Sequence, residues 1–235
     1  MSKRKPVRAR SQRQKEVLPP DTLVEGKTQN QCKFIKAVNS NDLVFCDGPA
    51  GTGKTYVASA LACEHLINKK VSKIVISRST QQCGDSGYLP GSMNEKLMPF
   101  MNPILSKLEL FFGPEAYKKM LQDKVIEVYP LETMRGETMD DTFMILTEFQ
   151  NATYEQIMMF ITRIGNGSKC ILEGDLEQID NKKSGALRVH NEQLRSKDKN
   201  EGIDFIYFTE DDIVRSGIVK RIITNARNAR KNNGA

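Results

Sequence analysis

Residues 48–55, GPAGTGKT, carry the side chains best suited to binding phosphate. They fit the pattern GxxxxGK[ST], directly after an apolar run and directly before a helical pattern. The glycines would let backbone N–H groups face the phosphates, and the helix would add its positive end. A glycine-rich turn without a ligand is the alternative, and both flanks argue against it. The residues expected to bind nucleotide are Gly48, Pro49, Ala50, Gly51, Thr52, Gly53, Lys54, Thr55 and Tyr56.

Within this loop, two side chains have separate roles. Lys54 is expected to reach the β and γ phosphates and so to assist catalysis, and the Thr55 hydroxyl is expected to bind Mg²⁺. With five scattered cysteines and two histidines, the chain offers no spacing typical of a zinc site, so we expect any metal to arrive with the substrate.

A second stretch, MILTEFQN at 144–151, ends an apolar run with polar side chains. Parallel sheets place functional groups at the carboxyl ends of their strands. Glu148 there suits a general base that orients water toward the γ-phosphate. A strand that simply ends in a polar turn is the alternative, which the preceding phosphate loop makes less attractive. Thr147 stands where an ATPase would carry an acidic metal-binding residue.

The third stretch, LEGDLEQID at 172–180, offers Asp175 and Gln178 at the same predicted edge. Gln178 would sense the γ-phosphate. Gly-Asp after a strand is a common turn signal, so this stretch carries weight only through its order after the other two.

Composition limits the class of protein. A chain of 235 residues suits one domain, and no apolar stretch is long enough to span a membrane. The basic first residues are followed by no apolar stretch, so we expect no secretory signal and a cytoplasmic location. The net charge of +6 comes from the two ends of the chain. Basic ends of this kind either bind RNA or single-stranded DNA or are merely solvated.

The elements that must position these motifs follow from the apolar runs. Strands are predicted where continuous runs indicate burial on both faces, at 43–48, 73–79, 142–148, 169–175 and 203–209, with a short extra strand at 125–131. Helical patterns lie behind Thr28 and at 54–68, 93–111, 114–122, 153–164 and 211–225. This alternation predicts an α/β domain over 28–226, a mainly parallel sheet with helices on both faces, between a disordered arm (1–27) and a flexible tail (227–235).

Five segments together resemble the PhoH family, a group of single-domain, RecA-like P-loop NTPases related to superfamily 1 helicases. They follow the family order over residues 28–224 and cover most of the chain. The matching stretches are GPAGTGKTYVA, ISRSTQQCGDSGYLPGSMNEKLMPF, PLETMRGETMDDTFMILTEFQNAT, MFITRIGNGSKCILEGDLEQID with SGAL soon after, and DDIVRSGIVKRII. The short chain suits a minimal, phage-encoded member.

The resemblance implies several properties. It implies ATP binding and hydrolysis with Mg²⁺, helicase-type activity on RNA or DNA, and a hexameric ring in which a neighbour's arginine completes the site. Arg163 and Arg215 are the first candidates for this arginine, and Arg135 is a third. Gln31 resembles the glutamine that reads the adenine in such helicases.

One departure from the family bears on catalysis. Where the family has Asp-Glu-Ala-Gln-Asn, this chain has Thr147-Glu148-Phe149-Gln150-Asn151. An outer-shell partner lost from a metal costs about 10- to 100-fold in affinity or activity. Thr147 can still hydrogen-bond a metal-bound water, and Asp175 is expected to supply some of the missing charge. The predicted metal-site residues are therefore Thr55, Thr147 and Asp175.

Three functions remain compatible with the sequence. The first is an ATPase linked to nucleic acid, with a weakened metal site. The second is a nucleotide-binding scaffold that hydrolyses ATP very slowly or not at all. The third, a small-molecule or nucleotide kinase, leaves the GDLEQ and MRGET segments without a role.

Overall fold

A six-stranded, wholly parallel sheet forms the centre of the protein. The computed structural model describes residues 24–79, 93–134, 136, 138–195 and 201–233. The strands lie in the order β3-β2-β4-β5-β1-β6. Their bounds are β1 Leu43–Asp47, β2 Lys73–Arg78, β3 Ile126–Pro130, β4 Thr142–Thr147, β5 Lys169–Gly174 and β6 Ile203–Tyr207. All six predicted strands are present, and the mainly parallel sheet is confirmed.

Seven α-helices precede, connect or follow these strands within the described residues. Their bounds are α1 Gln29–Ser40, α2 Lys54–Ile67, α3 Met93–Phe112, α4 Pro114–Gln122, α5 Tyr154–Ile161, α6 Ala186–Arg195 and α7 Gly217–Asn233. Side-chain caps fix two of the starting points. The Thr28 hydroxyl accepts a hydrogen bond from the Gln31 N–H at α1, and Thr153 and Gln156 form a capping box at α5.

The apolar side chains form one core on each face of the sheet. Helices α1 to α4 pack on the face that carries Ile74, Ile145 and Ile171. Helices α5 and α6 pack on the opposite face, against Met144 and Leu172. The expectation of helices on both faces is confirmed, and alternation along each strand decides which face a side chain reaches.

The chain after β6 differs from its prediction. A helix was expected over 211–225, but residues 210–212 form a short 3-10 turn and α7 begins only at Gly217. The Asp212 carboxylate accepts the Thr209 N–H and so caps this turn instead of continuing a helix. Helix α7 then runs on to Asn233, past the domain end expected at 226. Helix α6 was not predicted.

Some expectations fall outside the described residues. These are most of the basic arm at 1–27, the segment 80–92 that carries part of the family resemblance, and Arg135. Among the residues that are described, no helix is at once long enough and apolar enough to cross a membrane.

Candidate nucleotide site

The loop between β1 and α2 takes the tight form that its glycines allow. Gly48, Gly51 and Gly53 all have positive φ angles, of 142°, 85° and 89°. Residues other than glycine rarely adopt such backbone angles. A Cβ atom at Gly48 would also lie 2.5 Å from the carbonyl oxygen of Phe208. The glycines therefore keep the backbone close to neighbouring elements and leave the inside of the loop clear.

Helix α2 begins directly at this loop. Its N-cap residue is Gly53, and no side chain caps its first turn. The first N–H groups of a helix need partners, and together with the helix dipole they favour an anion. The Lys54 ammonium lies at the same point, 2.5 Å from the carbonyl oxygen of Gly48 and 2.9 Å from that of Pro49. These features fit the phosphate groups of a nucleotide.

A cleft of about 620 Å³ opens above the loop, a size suited to a small-molecule ligand. It is bounded by the loop, α3, the carboxyl ends of β4 and β5, and residues 214–215. Of the residues predicted to be functional, it brings together Gln31, Ala50, Gly51, Gly53, Lys54, Thr55, Tyr56, Glu148, Asp175, Gln178 and Arg215. Three stretches that are distant in sequence thus meet in one cavity.

Glu148 sits at the end of β4 in a conformation unusual for its residue type. Its φ and ψ angles are 54° and 40°, in the left-handed region. A residue other than glycine in that region carries a cost of order 1–3 kcal/mol, and such residues cluster at functional sites. The backbone turns there and places the carboxylate in the cleft. This position suits the predicted general base.

A chain of hydrogen bonds joins Glu148 to the end of β5. The Gln150 amide nitrogen donates to the Glu148 carboxylate over 2.5 Å, and its oxygen accepts from the Asp175 N–H over 3.2 Å. Gln178 in turn donates to the Asp175 carboxylate over 2.6 Å. The second and third chemical motifs of the sequence are therefore physically linked.

Asp175 also pairs with a cation that the sequence analysis did not identify. Nη1 of Arg227, on α7, lies 3.1 Å from Asp175 Oδ2. The same guanidinium contacts the carboxylates of Glu177 and Glu210. Asp175 was expected to add negative charge to a metal site, and here its carboxylate is already bound by Arg227 and Gln178. Its role as a metal ligand stays a prediction.

Glu173, which the sequence analysis passed over, is the most unusual acid in the cleft. The residue is 3% exposed, and its Oε2 atom has no hydrogen-bond partner among the described residues. Burial raises the pKa of this carboxyl to about 7, against the opposing effects of Lys54 and the nearby Thr55 hydroxyl. Glu148 is close enough to raise it further. A second carboxyl group therefore lies at the first turn of α2.

Thr147 lies next to Glu173 in the sheet but does not line the cleft. The two residues are register partners on β4 and β5. Thr147 is 6% exposed, and it is not among the residues that bound the cavity. Of the three predicted metal-site residues, Thr55 and Asp175 line the cleft and Thr147 does not.

Gln31 braces the loop from α1. Its amide nitrogen donates to the Thr52 carbonyl over 2.8 Å, and its oxygen accepts from the Lys27 N–H over 2.7 Å. The amide keeps one further donor and one further lone pair. Gln31 borders the cleft, so contact with an adenine stays a prediction, now beside a structural role that the sequence did not reveal.

The two described arginine candidates lie at opposite ends of the sheet. Arg215 borders the cleft beside Gly51, within its own chain's site. Arg163 lies beside Ser72 and Thr142, where β2 and β4 begin, and so outside the cleft of its own chain. The role of either arginine in completing a nucleotide site stays a prediction.

The cavity and its set of side chains are those of the P-loop NTPase fold. A family model described as "PhoH-like protein" matches residues 23–226. The chain belongs to the PhoH-like family.

Individual proteins agree with this assignment. The chain is 39% identical over 204 residues to a PhoH-like protein of Synechocystis and 42% identical over 200 residues to one of Bacillus subtilis. These alignments cover 86% and 84% of the chain but 61% and 62% of the relatives, so the chain spans about three-fifths of their length. The large terminase of a thermophilic bacteriophage, in complex with ADP, is similar in fold, with a TM-score of 0.50 and 14% identity. That match covers 83% of this chain and 48% of the terminase.

Proposed function

We propose that the protein binds ATP with Mg²⁺ and hydrolyses it, and that hydrolysis is coupled to binding or unwinding RNA or single-stranded DNA in a ring-shaped oligomer, a hexamer. The observation that carries the ATPase proposal is the meeting of Lys54 and Thr55 with Glu148 in one cleft beneath an uncapped helix terminus. A Mg²⁺ ion bound with the nucleotide would neutralise charge on the phosphates.

The chain's own residues supply the remaining functions. Lys54 adds a fixed positive charge at the loop, and the N–H groups of α2 favour the phosphate anion. Glu148, which is held by a hydrogen bond from Gln150, would orient the attacking water and accept a proton from it. Gln150 also links this base to the Asp175 N–H, and the Asp175 carboxylate binds Gln178 and Arg227, so that the cleft is connected to α7.

Three features support the ring and the nucleic-acid partner. Arg163 lies at the sheet end opposite the cleft, where it would contact a neighbouring subunit. Helix α7 exposes Ile218 and Ile222, whose exposed fractions of 69% and 62% suit a subunit contact. The excess positive charge suits a phosphate backbone.

ATPase assays with and without RNA and single-stranded DNA test the proposal, with Lys54→Ala as the control. We expect Mg²⁺-dependent phosphate release that nucleic acid increases and that Lys54→Ala abolishes. Mass measurement by light scattering, with and without ATP, tests the ring. Phosphate release equal to that of Lys54→Ala under every condition would contradict the ATPase.

A second candidate, a nucleotide-binding scaffold without hydrolysis, is favoured by Thr147, the neutral residue at the metal-binding position. Tight ATP binding that Lys54→Ala removes, without phosphate release, would select this function.

A further inference from the structure

Four side chains form a row across adjacent strands near the carboxyl end of the sheet. Glu173 on β5 is the register partner of Cys46 on β1 and of Thr147 on β4, and Thr147 is the partner of Arg78 on β2. Neighbouring strands lie about 4.8 Å apart. A carboxylate moved from position 147 to position 173 is therefore displaced by one strand, toward the strand that leads into the phosphate loop.

The row faces the helix that begins at that loop. Ile145 and Ile171 pack in the core formed with α2. Thr147 and Glu173 follow two residues later on the same strands, and a period of two keeps them on that face. Both side chains thus point toward the first turn of α2, which carries Lys54 and Thr55.

Of the four residues in this row, Glu173 has the surroundings of a ligand-binding group. It borders the cleft together with Thr55, the predicted metal ligand. Its Oε2 is buried without a partner in the described structure. A buried carboxylate is costly unless it is paired or binds a metal, so this atom is suited to receive a ligand.

We propose that Glu173 supplies the carboxylate that binds the metal of the Mg²⁺–nucleotide complex, in place of the acidic residue that Thr147 replaces. The acid has moved from β4 to β5, and the neutral Thr147 beside it avoids a second carboxylate in the row. Asp175 is less suited, because Arg227 and Gln178 already bind its carboxylate. This inference rests on the proposed binding of Mg²⁺ and nucleotide, but not on hydrolysis or nucleic acid.

The test measures the affinity for a fluorescent ADP analogue in Mg²⁺ and in EDTA. The affinity in Mg²⁺ is then divided by the affinity in EDTA. Glu173→Gln should lower this ratio by about 10- to 100-fold, the effect of losing a metal partner. Its affinity in EDTA should not decrease, which also shows that the loop is folded. Glu127→Gln, the same change on β3 beside Lys73 and outside the cleft, should keep the wild-type ratio.

A relocation experiment separates a metal-binding role from a purely structural one. Thr147→Asp combined with Glu173→Thr returns the carboxylate to β4, and we expect it to raise the ratio above that of Glu173→Thr alone. A wild-type ratio in Glu173→Gln, or a double variant no better than Glu173→Thr, would overturn the inference and leave nucleotide binding intact. If wild type binds the analogue no better than Lys54→Ala, the proposed function fails, and the inference fails with it.

Discussion

The two ends of β5 treat buried polar groups in opposite ways. Before the strand, the Ser168 hydroxyl accepts the Thr142 N–H over 2.9 Å and donates to the Met139 carbonyl over 2.6 Å. Near its other end, Glu173 is equally buried and leaves Oε2 without a partner in the described structure. Only five positions along the chain thus separate Ser168, whose hydrogen bonds are satisfied within the fold, from Glu173, whose Oε2 is not.

The difference indicates what each end is for. A buried hydroxyl with both partners holds two segments together, and a change there should affect stability alone. A buried, unpaired acid beside a lysine and an uncapped helix terminus costs stability, which a ligand can offset. The amino end of the sheet is therefore expected to govern folding, and the carboxyl end to govern binding and chemistry.

The largest effect should come from Glu148, at the carboxyl end. Glu148→Gln keeps the size of the side chain but removes the base, so ATP hydrolysis should fall by roughly 10²- to 10⁴-fold. Affinity for the nucleotide should remain. Steady-state phosphate release and nucleotide titration measure the two separately, with Glu155→Gln on α5 as a matched control. Equal hydrolysis in wild type and Glu148→Gln would show that Glu148 is not the base.

Ser168→Ala, at the amino end, should lower stability and leave the nucleotide site unaffected. Removing the hydroxyl leaves the buried Thr142 N–H without its partner and should lower the free energy of unfolding by about 2–3 kcal/mol. Nucleotide affinity should be unchanged. Urea unfolding checks the first expectation, and Ser72→Ala, an exposed serine at the same end, serves as the control. A large loss of nucleotide affinity in folded Ser168→Ala would contradict the expectation that the amino end of the sheet governs folding alone.

His65, near the end of α2, predicts a pH effect on folding that does not involve the cleft. Burial and the nearby Lys70 and Lys169 lower its pKa to about 4. Between that value and 6.5 the unfolded chain binds the extra proton, so stability falls as pH falls. From pH 7 to pH 5 the loss should be about 2 kcal/mol.

His65→Gln tests this, because glutamine does not titrate. The free energy of unfolding of the variant should depend less on pH than that of wild type, which urea unfolding at pH 7 and pH 5 measures. The same pH dependence in both proteins would contradict the assignment to His65.

The sequence could predict the sheet and most of the site, for physical reasons. Parallel strands buried on both faces read as continuous apolar runs, and a phosphate loop needs glycine at fixed positions. Helix α6 escaped prediction because it is short and mostly polar, and only Ala186, Val189 and His190 of its ten residues are buried. The predicted start of the last helix was wrong because Asp212 caps a 3-10 turn.

Glu173 could not be found in the same way. Its position in the cleft depends on the register between β5 and β4, which sets residues 26 positions apart side by side. In the sequence it is one acidic residue before Gly-Asp, in a motif whose obvious charge is Asp175. The signal that was available is an acid at the end of an otherwise apolar strand, where a buried charge needs a reason.

The smallest predicted effect gives the sharpest contrast between the two ends of β5. Without nucleotide, Glu173→Gln should raise the free energy of unfolding at pH 8 by about 1 kcal/mol, because an amide is less costly to bury than an ionised carboxylate. Ser168→Ala should lower the free energy of unfolding, whereas Glu173→Gln should raise it. This difference in sign distinguishes a structural group from a binding group. Thermal unfolding measures it, and Glu127→Gln, which loses a partly exposed ion pair with Lys73, should show little change or a slight loss. A lower melting temperature for Glu173→Gln would mean that the carboxylate stabilises the fold, and the contrast would be lost.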